Sequence, residues 1–308
     1  MARQPTVHSM YEPTTGTWQY IVACPTSKQA AIIDPVLDFD SSSSTISTTS
    51  ADSLLRVVSG EGYCVSHLLE THAHADHLTA SFYLQQKLLA VGKPRPPICI
   101  GRNIHLVQQT FGRRYGIADD ELNVAFDRLF VDGEEFNIGE IVASVLYLPG
   151  HTPDHIGYCI GDSVFTGDSI FNPDVGSARC DFPGGDARAL YKSMKRLLGL
   201  PPSFRLYTGH DYPPAAADGC VREPLPYVTV SEQDERNKHA KRESSEEEFV
   251  KWRSERDEAL KEPRLMHQAL QVNVRGGRLP HKVKDGQVLL SFVVHVPEIL
   301  LAGESGNL

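Results

Sequence analysis

The stretch "LLETHAHADHLTA" (68–80) decides how the rest of the chain is read. It places three histidines and one aspartate, His72, His74, Asp76 and His77, within six positions. Directly before it runs "VSHLLET" (65–71), an apolar run of the kind that forms a buried strand. Alternate residues leaving a strand share a face, so His72 and His74 can grip one ion. Asp76 and His77, expected at the start of a helix over about 76–90, can turn toward a second. Leu78, Phe82, Leu84, Leu88 and Leu89 would form the apolar side of that helix.

The same arrangement recurs downstream. His151 follows "LYLPG", Asp168 follows "SVFTG" and His210 follows "LYTG". Each lies at the carboxyl end of an apolar run, where a sheet delivers side chains to one rim. Neutral imidazole nitrogen and carboxylate oxygen are ordinary ligands for zinc or iron. Asp168, with two oxygens, can bridge two ions. A lone loop histidine is usually incidental; seven such residues in this order are not. His155 lies near enough to His151 to support it.

The rest of the chain frames this site. Its 308 residues allow a core that needs no staples. The charge of 30 minus 39, or −9, resembles no nucleic-acid or membrane surface, so a small molecule is the expected partner. Six scattered cysteines without a C-x-x-C pair fit reduced thiols. The start has no secretory signal and one arginine in 13 residues. A cytoplasmic location is expected, with mitochondrial targeting left open.

"WQYIVAC" (18–24) and "QAAIIDP" (29–35) read as strands around a turn at 25–27. "SSSSTISTTSAD" (41–52) reads as loop, with Ser50 or Asp52 capping a helix over about 52–59. The middle is a run of strands punctuated by Gly133, Gly139 and Gly161. "DARALYKSMKRLLGL" (186–200) is a helix and "FRLYTG" a strand. Two β-rich halves with helices outside predict an α/β fold, a four-layer αββα sandwich. Residues 232–262 hold 11 acidic and 8 basic residues, read as solvated helix faces anchored by Phe249, Trp252 and Leu260. "QVNVRGGRLP" (271–280) reads as a docking segment. The expected organisation is a catalytic domain over 1–225 and a charged helical extension over 226–308 packed on it.

H-x-H-x-D-H at 72–77, "PGHT" at 149–152, "TGDS" at 166–169 and "TGHDY" at 208–212 together resemble the metallo-β-lactamase superfamily. The resemblance covers nearly the whole chain. It implies the αββα fold with His72, His74 and His151 on one metal, Asp76, His77 and His210 on a second, and Asp168 between them. Two zinc ions and a catalytic role for Asp76 follow from it. "AIIDPVLDFD" (31–40), "GSARCDFPGGDARALYKSMKRLLGLP" (176–201) and "QVNVRGGRLP" resemble the branch holding glutathione persulfide dioxygenases and β-lactamase-like hydrolases. In the dioxygenases one Fe(II) would sit on His72, His151 and Asp168.

Arg179, in the run "RCDF", would then lie near the substrate, the plainer reading being an ion pair. Relatives are often dimers, so the branch allows a homodimer. The Ser/Thr insert at 41–50 departs from that branch and is expected to be an exposed tether, with a substrate rim as the alternative. Three functions follow: a hydrolase of a small lactam, lactone, ester or thioester, with a detoxifying role; an Fe(II) persulfide dioxygenase; and a non-catalytic binding protein of the same fold. The intact ligand set disfavours the last.

Overall fold

The computed structural model describes residues 4–215, 219–241, 243–294 and 296. The first three residues of the chain and the last twelve of the 226–308 extension lie outside them.

The first half alternates strands and helices: β1 (Thr6–Glu12), β2 (Thr17–Ala23), β3 (Gln29–Ile33), β4 (Val36–Asp40), β5 (Thr45–Ser47), α1 (Thr49–Gly60) and β6 (Cys64–Leu69). Then come β7 (Leu78–Thr79), α2 (Ser81–Ala90), β8 (Ile98–Gly101), α3 (Ile104–Tyr115), α4 (Asp119–Asn123) and β9 (Arg128–Phe130). The second half holds β10 (Glu135–Ile138), β11 (Ile141–Tyr147), β12 (Ile156–Ile160), β13 (Ser163–Gly167), α5 (Ala187–Leu198), β14 (Arg205–Thr208) and β15 (Tyr227–Thr229). It closes with α6 (Val230–Arg236), α7 (Glu246–Glu258) and α8 (Met266–Asn273).

Two six-stranded sheets result, ordered β1-β2-β3-β6-β8-β9 and β10-β11-β12-β13-β14-β15. Strand periodicity explains the layering. In β2, Trp18, Tyr20 and Val22 face the core between the sheets, with Phe136, Val145, Tyr158, Phe165 and Tyr207 opposite. Ile21 and Ala23 face outward onto α1, α2 and α8 through Leu54, Leu84 and Ala269. Both faces are therefore covered, so the strand reads as a near-continuous apolar run, broken by Gln19, whose Oε1 accepts from the Val36 amide. The second sheet is covered by α5, α6 and α7 through Leu190, Val230 and Phe249. This is the four-layer αββα sandwich. Truncating a ring such as Phe165 at its centre would cost about 3–5 kcal/mol. No helix among the described residues is long and apolar enough to cross a membrane.

The structure corrects several local expectations. The 41–50 insert is not a tether: β5 pairs with β4, with Phe39 opposite Ile46. Asp40 holds that turn by accepting from the hydroxyls of Ser42 and Ser43. The helix after it begins at Thr49, and neither Ser50 nor Asp52 caps it. Asp38 of β4 does so from across the hairpin, accepting from the Ser50 amide and hydroxyl. No helix begins at Asp76: β7 intervenes, paired with β4, and α2 starts at Ser81. Leu89 faces solvent and Phe82 is only half-buried.

The charged segment is not solely solvated either. Phe249, Arg253 and Asp257, four residues apart on α7, are buried. Trp252 is partly exposed and packs on His239, 3.9 Å between ring centroids.

Candidate metal centre

Four strand ends converge on one rim. The loop from β6 to β7 carries His72, His74, Asp76 and His77; residues just past β11, β13 and β14 supply His151, Asp168 and His210. Glycine is required before three of them; at Gly150, before His151, a Cβ would meet the Leu190 amide nitrogen at 2.2 Å. A Cβ at Gly167, where φ is 48°, would meet Thr71 Oγ1 at 2.6 Å, and one at Gly209 would meet Asp168 Oδ1 at 2.4 Å. The "TGD" and "TGH" motifs are thus the only backbone that lets these ligands approach each other.

The seven side chains sort into two groups with potential ligand atoms within 4.8 Å of one another: His72, His151 and Asp168, and His74, Asp76, His77 and His210. Asp168 joins them, its Oδ2 lying 3.6 Å from Nε2 of both His151 and His210. By this measure His74 groups with Asp76, His77 and His210, and its ring centroid also lies 4.0 Å from that of His72, the companion the family pattern implies.

Each ring is aimed by its other nitrogen. Thr71 Oγ1 donates to Asp34 and so accepts from His72 Nδ1 at 3.0 Å. His77 Nδ1 donates to the Leu78 carbonyl at 3.2 Å, and His151 Nδ1 to the Arg179 carbonyl at 2.8 Å. His210 Nδ1 lies 3.3 Å from Thr17 Oγ1. All four rings therefore present Nε2 to the centre, as supporting groups do in metal sites. His74 is reversed: its Nε2 lies 3.1 Å from Asp34 Oδ1 and 3.7 Å from Glu70 Oε2, leaving Nδ1 inward.

Nε2 of His72, His77 and His210, Nδ1 of His74, Oδ2 of Asp76 and Oδ1 of Asp168 are buried without a hydrogen-bond partner. A buried unpaired polar atom costs about 1–3 kcal/mol. Together these would rival the about 5–15 kcal/mol net stability of a domain. Divalent cations fit this donor set and relieve that cost.

The electrostatics divide the rings: burial keeps His72 and His77 neutral, whereas, against burial, facing carboxylates favour the charged form of His74 and His210. Burial and the neighbouring imidazoles hold His72 neutral, well below its usual value, and bring His77 down to about 4. Burial opposes charge on His74, but Asp34 and Glu70 win and raise it to about 10. Burial pushes Asp76 up, yet His210, His77 and His74 bring it to about 2. Burial raises Asp168 against the pull of His210 and His151.

Several residues in the centre escaped sequence reading. Asp34 accepts from the Thr71 amide at 2.8 Å and its hydroxyl at 2.9 Å, besides facing His74. It holds φ at 49°, a left-handed conformation that stores strain. Its only sequence signal was an aspartate closing an apolar strand before proline. Glu70, raised by burial and Asp34 to about 7, accepts from Thr79 and Ser81. Asn273 of α8 donates to the carbonyls of His74 and His77, both at 2.8 Å, and accepts from the Thr79 amide. The "QVNV" segment thus pins the ligand loop. His155, expected from the sequence to support His151, accepts from the Asp168 amide at 2.9 Å and stacks on His72.

Arg179 is committed to a fork with Asp181 and to the Lys261 carbonyl. It lines the open cavity over the centre, about 530 Å³, with Asp76, His151, Phe171, Tyr212 and Leu260.

Comparison with known proteins agrees with this geometry. Residues 13–210 match the Metallo-beta-lactamase superfamily. The chain belongs to the metallo-β-lactamase superfamily. Within it, a beta-lactamase hydrolase-like protein of Xylella fastidiosa is 43% identical over 295 residues, covering 96% of this chain and 66% of that protein. The chain thus spans about two thirds of that relative's length. Glyoxylase B2 of Dictyostelium discoideum is 39% identical over 289 residues, covering 93% of this chain and 96% of that one. Among solved structures, ETHE1 from Myxococcus xanthus superposes with a TM-score of 0.69 at 27% identity, covering 89% of this chain and all of that one. The superfamily points to a metal-binding enzyme.

Proposed function

We propose that this chain is a two-zinc hydrolase that opens a lactam, lactone, ester or thioester bond in a small molecule. One observation carries the reading: Asp168 Oδ2 sits 3.6 Å from the inward nitrogen of a histidine in each group, so that one carboxylate would serve both groups if each held an ion. Two bound divalent ions supply a hydroxide nucleophile at neutral pH and polarise a carbonyl.

The protein's own groups do the rest. Thr71, Leu78, Arg179 and Thr17 hold the rings in one tautomer through side-chain or carbonyl oxygens. Asp76, ionised and with 30% of its side chain exposed, can take a proton from the attacking water and return it to the leaving group. Tyr212 stacks on His210 at 5.5 Å and, with Phe171, walls the cavity. Arg179, already paired, is a wall contact for substrate rather than its charge anchor.

A second reading, an Fe(II) persulfide dioxygenase, is favoured by His72, His151 and Asp168 forming a self-contained two-histidine, one-carboxylate group. Metal per chain, measured with hydrolysis of an ester and thioester panel under nitrogen, tests the choice. Hydrolysis without oxygen supports the first reading. Oxygen uptake on glutathione persulfide with no hydrolysis supports the second.

A further inference from the structure

A second cavity lies beside the metal centre. It has a volume of about 330 Å³ and sits under the β4–β5 hairpin, reaching His77. The metal-site cavity and this one share three lining residues, Thr14, Thr15 and Arg264, which form the divide between them.

The charges lining the two cavities are unequal. Arg179 is held by Asp181, and Arg253 by Asp257. The hairpin cavity's carboxylates are likewise satisfied. Glu12 accepts from the amides of Thr14 and Thr15 and the Thr15 hydroxyl, Asp38 from Ser50, and Asp40 from Ser42 and Ser43. Arg264, exposed to solvent, makes no hydrogen bond or ion pair with any described residue, and it lines both cavities. A guanidinium left free beside a reaction centre suits a planar, two-oxygen anion.

The hairpin cavity is otherwise apolar at its base, with Val36, Leu37, Phe39, Leu78 and Leu265, and hydroxyl-rich at its rim. The divide is also tied to the metal centre. Thr15 Oγ1 donates to Glu12, Thr17 lies 2.7 Å from Thr15, and Thr17 meets His210.

We infer that Arg264 binds a substrate carboxylate and that the hairpin cavity takes the substrate's short aliphatic tail, with the bond to be cleaved over the metals. This deepens the hydrolase reading and rests on it for the reacting bond; the subsite itself rests on the two cavities and the free guanidinium. The hairpin insert is then a specificity element.

The test uses the metal-loaded chain and N-hexanoylglycine, with its neutral primary amide as control, by calorimetry. The acid should bind about tenfold or more tighter than the amide. Arg264→Ala should erase that preference and Arg264→Lys keep part of it. Ser47→Phe, which narrows the tail cavity from an exposed position, should weaken N-hexanoylglycine but not N-acetylglycine. Metal content and thermal midpoint check that each variant is folded. An acid preference that survives Arg264→Ala, a tail insensitive to Ser47→Phe, or no binding of the acid overturns the subsite. The same samples are assayed on ester and thioester substrates: expected binding with no turnover would defeat the hydrolase reading and leave the subsite standing.

Discussion

Residues 72–77 and helix α7 are both dense in ionisable side chains, and the fold treats them oppositely. In the loop, three histidines are buried with inward atoms that no protein group satisfies. Along α7 most charges face water, and the two buried ones pair with each other, Arg253 with Asp257, with Arg253 Nε left unpaired. The buried pair also grips a neighbouring strand of chain. Asp257 accepts from the Cys180 amide at 2.8 Å, and Arg253 donates to the Ala178 carbonyl at 3.3 Å. Between those two residues lies Arg179, whose carbonyl aims His151. A cluster of inward atoms left open on converging side chains marks a ligand site, whereas an ion pair that also holds the 178–180 backbone is a brace for the ligand set.

Substitutions at four places can break or sharpen that contrast. The largest effect belongs to Asp168→Ala, which removes the group between the two sets. Metal assistance supplies several kcal/mol, and at 1.36 kcal/mol per tenfold the rate should fall about a thousandfold or more. Full turnover by that variant would refute the centre.

Next comes the brace. Asp257→Ala strands a buried guanidinium, an expected loss of about 3–5 kcal/mol in denaturant unfolding. Replacing both partners, Arg253→Met with Asp257→Leu, should recover most of it. Equal losses in the single and double variants would mean the pair is not what matters.

Asn273→Ala leaves the loop carbonyls of His74 and His77 without their donor. Metal affinity should drop about 10–100-fold, seen as faster stripping by a chelator. An unchanged stripping rate would detach α8 from the centre.

The smallest effect concerns His239, beneath Trp252. Burial, with Lys238 and Arg253, brings its imidazole down to about 3. The unfolded chain, with an ordinary histidine near 6.5, binds more protons between those values. Folding stability should therefore fall as pH drops from about 6.5 toward 3. His239→Gln should flatten that part of the profile against wild type, and an identical slope would remove His239 from the acid response.

What could be read from the chain depended on how local the cause was. Apolar strands announced themselves, and every ligand followed one, so the sandwich and its metal rim were legible. "THAHADH" did not reveal that β7 would interrupt the expected helix, because that strand exists only by pairing with Val36 and Leu37. The Ser/Thr insert hid a hairpin for the same reason: Phe39 and Ile46 find each other across it. Helix α3, with the mixed sequence "IHLVQQTFGRRY", carries its apolar side in only a few positions. Asp34 and Asn273 act through partners 37 to 199 residues away, a distance no motif spans.

The two-ion reading is tested most directly by metal stoichiometry on chain purified without oxygen, measured alongside turnover. The account predicts two zinc ions per chain and ester or thioester hydrolysis that proceeds under nitrogen. One iron per chain, with oxygen consumed on glutathione persulfide and no hydrolysis, would contradict it.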